Sequence, residues 1–189
     1  MIFVISGPSG SGKTTLREEL LKDKELKSRL ANPISFATRP KRLGEQNGKG
    51  YFFISEEEFQ KKLKAKKILE WTKYLGYYYG TPKDFVETQL KKRKHLILCL
   101  DLKGAARIKQ LYPKNTVTVF ILPPSFAALG DRIGRRCKQT RPQEIAQRLR
   151  LAKKELLAAS KFDYSVANEN LAQAVKDLKD IVLKEIDIL

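Results

Sequence analysis

Eight residues near the start constrain this chain more than any others. Gly7-Pro8-Ser9-Gly10-Ser11-Gly12-Lys13-Thr14 fits G-x-x-x-x-G-K-[ST] at every specified position. An apolar run, Ile2–Ser6, precedes it and reads as a short buried strand. A helix from Lys13 to about Leu30 follows, with Leu16, Leu20 and Leu21 on one side. In that context the glycines let backbone wrap closely around phosphates with N–H groups pointing inward, and the helix N-terminus adds a favourable dipole. Lys13 then reaches the β- and γ-phosphates of a nucleoside triphosphate, and Thr14 ligates Mg²⁺. The ATP set runs from Gly7 through Thr15. The bland reading is a chance glycine-rich turn.

Beyond the loop the chain changes character twice. Residues 34–81 carry short strand-like pieces, Ile34–Thr38, Tyr51–Ile54 and Ile68–Leu75, with Gly44, Asn47, Gly48 and Gly50 marking turns. Ser55 and Glu58 spell a capping box for one helix between them, with Ile54 placed to staple Phe59. This mixed block reads as an insertion between α/β units. The α/β pattern then resumes: a helix with Pro82 at its favourable first position, an apolar strand at His95–Asp101, a helix at Gly104–Tyr112 and a strand at Thr116–Leu122. Pro123-Pro124-Ser125 breaks that strand and caps the next helix. Residues 130–142, very basic with two glycines and a proline, read as an exposed, mobile segment. A helix from about Pro142 to Ala159, a strand at Asp163–Ala167 and a last helix capped by Asn168 or Asn170 complete the chain. Strands alternating with helices predict a parallel sheet covered on both faces.

Composition narrows the function. The 189 residues suit one domain with inserted subdomains. No basic leader and no apolar run near 18 residues is present, so neither a signal peptide nor a membrane span is expected. Cys99 and Cys137 are too few for a disulfide framework and match no zinc spacing, which fits a reducing cytosol. The net charge of +17 invites a nucleic-acid reading, but the basic residues are spread along the chain. The dense runs Lys61–Lys67 and Lys91–Lys94 fall late in helical stretches, where they form solvated faces and offset the helix dipole. Polyanionic nucleotides account for part of the charge.

Several side chains outside the loop carry chemistry. Asp101 ends an apolar strand, where a P-loop enzyme places a carboxylate beside metal and phosphates; the alternative is a capping aspartate. His95, the only histidine, reads as a strand-end residue. Arg39 and Arg42, close in sequence to Ser35, Thr38 and Tyr51, have the chemistry to grip a phosphate through paired hydrogen bonds, or are ordinary loop arginines.

The run Ser35-Phe36-Ala37-Thr38-Arg39-Pro40-Lys41-Arg42, then Gly44-Glu45 and Asn47-Gly48-Lys49-Gly50-Tyr51-Phe52-Phe53, resembles the guanylate kinase family. So do Leu69-Glu70-Trp71, Tyr78-Tyr79-Gly80-Thr81-Pro82, Asp101-Leu102-Lys103-Gly104-Ala105, Ile121-Leu122-Pro123-Pro124-Ser125 and Asp163-Tyr164. The matches run in order over nearly the whole chain. The resemblance implies a P-loop core at 1–33, 82–125 and 151–189, a GMP-binding subdomain at 34–81 and a helical lid at 126–150. It implies reversible transfer from ATP to GMP or dGMP, assisted by Mg²⁺, in a cytoplasmic monomer or homodimer with no nucleic-acid or membrane partner. Arg39, Arg42, Tyr51 and Tyr79 match residues that hold the GMP phosphate; Ser35, Glu70 and Thr81 match those that read guanine. For Glu70 the bland reading is an exposed strand residue beside a packed Trp71. Lys13, Arg39, Arg136, Arg148 and Asp101 are the expected catalytic set, with Arg132 also in the lid, Thr14 on the metal and Asp101 near it.

The chain departs from the family's pattern in places. The usual Arg-Gly-Thr and acidic run of the lid is Arg136-Cys137-Lys138-Gln139-Thr140 here, with one extra residue before Ile145. Cys99 stands where an acid is common, Lys103 replaces a frequent glutamine, and Phe36 and Ala37 replace polar residues. Scaffold domains of this fold bind proteins instead of phosphorylating nucleotides, but tend to lose the loop lysine or the phosphate-gripping arginines. Lys13, Arg39 and Arg42 are all present.

Overall fold

The computed structural model describes residues 1–42, 44–136 and 142–188. Cys137 to Arg141 lie outside the described residues, as do the side chains of Arg135, Arg136, Pro142 and Glu144. Contacts divide the chain into two compact units, Met1–Leu30 with Ile97–Leu189, and Ala31–Leu96.

In chain order the elements are β1 (Ile2–Ser6), α1 (Lys13–Leu20), α2 (Lys24–Arg29), β2 (Leu30–Ala31), β3 (Ser35–Ala37), β4 (Tyr51–Phe53), α3 (Glu56–Lys64), β5 (Ile68–Tyr74) and β6 (Tyr77–Pro82). Then come α4 (Lys83–Lys91), β7 (His95–Cys99), α5 (Leu102–Leu111), β8 (Thr116–Leu122), α6 (Phe126–Arg136), α7 (Pro142–Leu156), β9 (Tyr164–Ala167) and α8 (Leu171–Asp187).

The larger unit is built on a sheet of order β2-β7-β1-β8-β9. β1 runs parallel to β8, and β8 parallel to β9. All five residues of β1 are buried, as a parallel strand covered on both faces requires. Phe3, Ile5, Val119 and Ile121 pack with Leu16 and Leu20 of α1 and with Leu178 and Val182 of α8. In α8 the buried residues Ala174, Leu178, Val182 and Ile186 recur every four positions, one stripe of the helix. Each buried aliphatic side chain contributes roughly 1.5–3 kcal/mol.

The expected single helix from Lys13 to Leu30 is two helices. The chain turns after α1, and the Asp23 carboxylate accepts from the N–H groups of Glu25 and Leu26 to start α2. Lys179 of α8 holds the other Asp23 oxygen at 2.7 Å. A local cap and a distant ion pair thus override the helical period. Ser125 caps α6 through Ala128 N–H, and α6 continues to Arg136, so the described part of the basic segment is ordered helix.

The smaller unit has the mixed sheet β4-β3-β6-β5. β3 is parallel to β4 and antiparallel to β6; β5 and β6 form a hairpin. Ser55 caps α3 through Glu58 N–H. Strand β6 escaped the sequence reading. Its turn is Leu75-Gly76, both at positive φ (51° and 86°), a conformation signalled by Asn-Gly more than by a leucine. Pro82 consequently ends β6 and is the N-cap of α4, not its first residue.

Candidate functional site

The loop after β1 keeps Gly7, Gly10 and Gly12 at positive φ. At Gly7 a side chain is excluded twice: φ is +137°, and a Cβ would lie 2.6 Å from the Ile121 carbonyl. The loop feeds directly into α1, so its N–H groups and the helix N-terminus present one anion-binding surface. Lys13 reaches back across it, donating from Nζ to the carbonyls of Gly7 (2.6 Å) and Pro8 (2.9 Å). Thr14 is half-buried and Thr15 exposed.

Around the loop, Arg148 of α7 points Nη1 at the Ser9 hydroxyl, 3.4 Å away. Arg132 is half-buried in α6. The Arg136 backbone ends α6, and its side chain lies outside the described residues. One oxygen of Asp101 caps α5 through Gly104 N–H at 2.8 Å. Cys99 is a half-buried thiol packed against the core, its Sγ 3.6 Å from the Lys13 carbonyl. Burial pushes the thiol up, against the pull of Arg17 and Lys13, so it stays neutral. Arg17 is 8% exposed, and its Nε has no hydrogen-bond partner among the described residues. Glu155, late in α7, has a buried Oε2 without a partner among them. Its carboxyl is raised by burial, with Lys13 acting against that and Asp101 adding to it.

In the smaller unit, strand register assembles the second set. Ser35 pairs with Tyr51 across β3 and β4, and Glu70 with Thr81 across β5 and β6. Phe36 opposes Gly80, which sets Ser35 next to Thr81 on the same sheet face. One row of side chains therefore crosses all four strands: Tyr51, Ser35, Thr81, Glu70. Tyr79, two residues from Thr81, faces the same way, its ring 5.9 Å from that of Tyr51. Glu70 is only 4% exposed and Trp71 is 45% exposed, which reverses the bland reading of that pair. The Thr81 hydroxyl donates to Glu70 Oε1 at 2.5 Å, which orients the buried carboxylate.

Arg39 is 7% exposed and lies against the rings of Tyr51 and Phe53. Its guanidinium makes a two-pronged pair with Glu45, 2.6 Å on each prong, and Glu45 Oε2 also accepts from Arg42 N–H at 2.9 Å. Burial would lower Arg39 and raise Glu45, but the pair outweighs it in both: Arg39 is raised and Glu45 lowered. Burial raises the Tyr79 hydroxyl against the pull of Arg39, so it stays protonated and able to donate. Glu45 is the residue that reading for binding chemistry missed. An acid beside candidate phosphate-binding arginines looks counterproductive; its signal was the opposite charge six residues from Arg39 in a glycine-marked turn.

A glycine loop between a buried parallel strand and a helix, with a lysine folded across it, defines a P-loop nucleotide-binding protein. The second unit adds a polar sheet face with a buried carboxylate and a shielded arginine. A family model for guanylate kinase matches residues 1–185. Guanylate kinase of Thermotoga maritima is 43% identical, covering 97% of this chain and 86% of the relative. That of Synechocystis is 41% identical, covering 97% and 94%. The crystal structure of guanylate kinase from Anaplasma phagocytophilum superposes with a TM-score of 0.79 at 27% identity, covering 98% of this chain and 85% of that one. The chain belongs to the guanylate kinase family.

Proposed function

We propose that this protein catalyses ATP + GMP ⇌ ADP + GDP and accepts dGMP in the same site. Family membership supports the reaction, and the buried Glu70 carboxylate carries the choice of base. Guanine offers N1–H and N2–H as donors, and a carboxylate held by Thr81 accepts both. Adenine has an acceptor at N1 and no 2-amino group, so it offers that carboxylate no donor at either position. Sites of this kind discriminate by up to ~10⁴-fold.

At the phosphate end, Arg39 and Arg42, with the Tyr51 and Tyr79 hydroxyls, hold the GMP phosphate, and Ser35 joins Glu70 and Thr81 at the base. Glu45 holds the Arg39 fork in shape before the phosphate arrives. On the ATP side, the loop N–H groups between Gly7 and Thr15, Pro8 having none, and the Lys13 ammonium bind the phosphates. An ionised oxygen of GMP attacks the γ-phosphorus as the bond to the β-bridging oxygen breaks, leaving ADP. The nucleophile is already charged, so no general base is required. Catalysis is positioning and charge neutralisation, supplied by Lys13 and by Arg136 and Arg148.

The residues fit Mg²⁺ as a substrate-borne ion. No group of three His, Cys, Asp or Glu side chains that could cage a metal exists among the described residues. A single hydroxyl, Thr14, suits an ion that keeps its waters and binds chiefly to phosphates, with Asp101 able to accept from that water shell. When bound, it neutralises charge developing on the phosphate oxygens. No described helix is long and apolar enough to cross a membrane. A cytoplasmic monomer or homodimer is the setting we propose.

The test is ADP release in a coupled assay with ATP, Mg²⁺ and each of GMP, dGMP, AMP, CMP and UMP. Turnover with GMP and dGMP alone, lost in Glu70→Ala, is expected. Equal turnover with AMP would overturn the assignment of Glu70.

A further inference from the structure

Asn170, not Asn168, caps α8, by accepting from Gln173 N–H. Asn168 has a different place. It follows β9 directly, is 5% exposed, and its own N–H donates to the Leu122 carbonyl at 2.8 Å, which ties it to the end of β8. From there its side chain enters the phosphate loop, and Nδ2 donates to the Ser11 carbonyl at 2.7 Å.

We propose that Asn168 is a positioning residue for the phosphate loop: by holding the Ser11 carbonyl, it aims the Gly12 N–H at the phosphates. In a planar trans peptide the carbonyl of one residue and the N–H of the next point in opposite directions. Anchoring Ser11 C=O on one side therefore turns Gly12 N–H to the other. Gly12 sits at φ +100°, where glycine has little steric preference, so the peptide needs an external hold. The space for that hold is the missing side chain itself. A Cβ on Gly12 would come 2.1 Å from Asn168 Nδ2, so the glycine makes room for the amide as well as for the turn. The Asn168 amide spans the distance to Ser11 O from the end of β9; aspartate has the same shape and no proton to give.

The proposal rests on the loop's being the ATP phosphate site. Its test is calorimetric binding of ADP, and of pyrophosphate as a probe that carries no base, to the full chain and to Asn168→Ala and Asn168→Asp. Loss of one buried hydrogen bond is expected to weaken both ligands about tenfold in Asn168→Ala. Asn168→Asp is expected to be weaker still, because its carboxylate faces the Ser11 carbonyl. GMP affinity is expected to stay within about twofold in both. In ¹⁵N-labelled protein, the shift of the Gly12 amide on adding pyrophosphate is expected to shrink in both variants. A packing role gives the reverse order, with the cavity-forming alanine worse than the isosteric aspartate, and that order would overturn the proposal. Unchanged pyrophosphate affinity in the folded variants, or an equal loss for GMP, would do so too. Failure of the unmodified chain to bind ADP or pyrophosphate would overturn the phosphate-site reading, and the proposal with it.

Discussion

Replacing Glu45 by glutamine keeps the shape of the side chain and removes the charge that shields Arg39. Both carboxylate oxygens lie 2.6 Å from the guanidinium, and one also takes the Arg42 N–H. Glutamine keeps one acceptor and turns an NH₂ group toward donors. One charge-assisted hydrogen bond is lost, worth roughly 1.5–3 kcal/mol. The surviving bond runs to a neutral oxygen and loses about half its strength. Removing one partner of a fully buried ion pair costs about 3–5 kcal/mol. The Glu45 side chain is 26% exposed, so water relieves part of this, and about 2–3 kcal/mol is expected. The assay is urea unfolding followed by Trp71 fluorescence. Trp71 is the only tryptophan and lies in the same compact unit, so it reports the element perturbed. The pH dependence has a definite sign. The Glu45 carboxyl is lower folded than unfolded, so the pair's stabilisation is present above the ordinary glutamate range and fades as pH falls through the lowered value. The gap between the two proteins is expected to be full at pH 7 and to close in acid. A gap under about 0.5 kcal/mol at pH 7 would refute the view that Glu45 is the counter-charge of a buried arginine.

Glu155→Gln is expected to stabilise the protein. Burial raises its folded carboxyl, so Glu155 favours folding while protonated and loses that contribution as pH rises through the raised value. Urea unfolding is expected to show the variant about 1 kcal/mol more stable at pH 8 and level with the parent near pH 4; the opposite trend would refute it. Gly80→Ala tests the packing under the sheet face that carries Glu70 and Thr81. A Cβ there lies 2.8 Å from Ile68 and 3.1 Å from Phe59. About 1–3 kcal/mol of destabilisation is expected in the same Trp71 unfolding assay. An unaffected midpoint would mean that those side chains yield freely.

Most of the site's residue types were legible, because each belongs to a short pattern with a mechanical meaning. The phosphate loop, the Ser55 cap of α3 and the β-branched run of β8 are all set by neighbours within a few positions. The breaks in legibility have physical causes. Leu21 and Lys22 continue a helical pattern, yet Asp23 caps a new helix there and is tied to Lys179, 156 residues away. The β5–β6 hairpin turns on a leucine at positive φ, which is tolerable only because the paired strands hold it there.

Spacing along the chain therefore determined that a glycine loop ending in Lys13 joins a buried strand to a helix. It also placed Glu70, Arg39 and Thr81 in one block. That Glu70 is buried while its neighbour Trp71 is exposed followed from the face that β5 turns toward the sheet. Register alone set Tyr51, Ser35, Thr81 and Glu70 in one row. Arg39 gained its counter-charge from a turn, and Ser11 its anchor from Asn168, 157 residues away. Local patterns depend on steric and hydrogen-bonding preferences that act over a turn or two. Burial and long-range pairing depend on which surfaces meet, and only the folded chain brings those together.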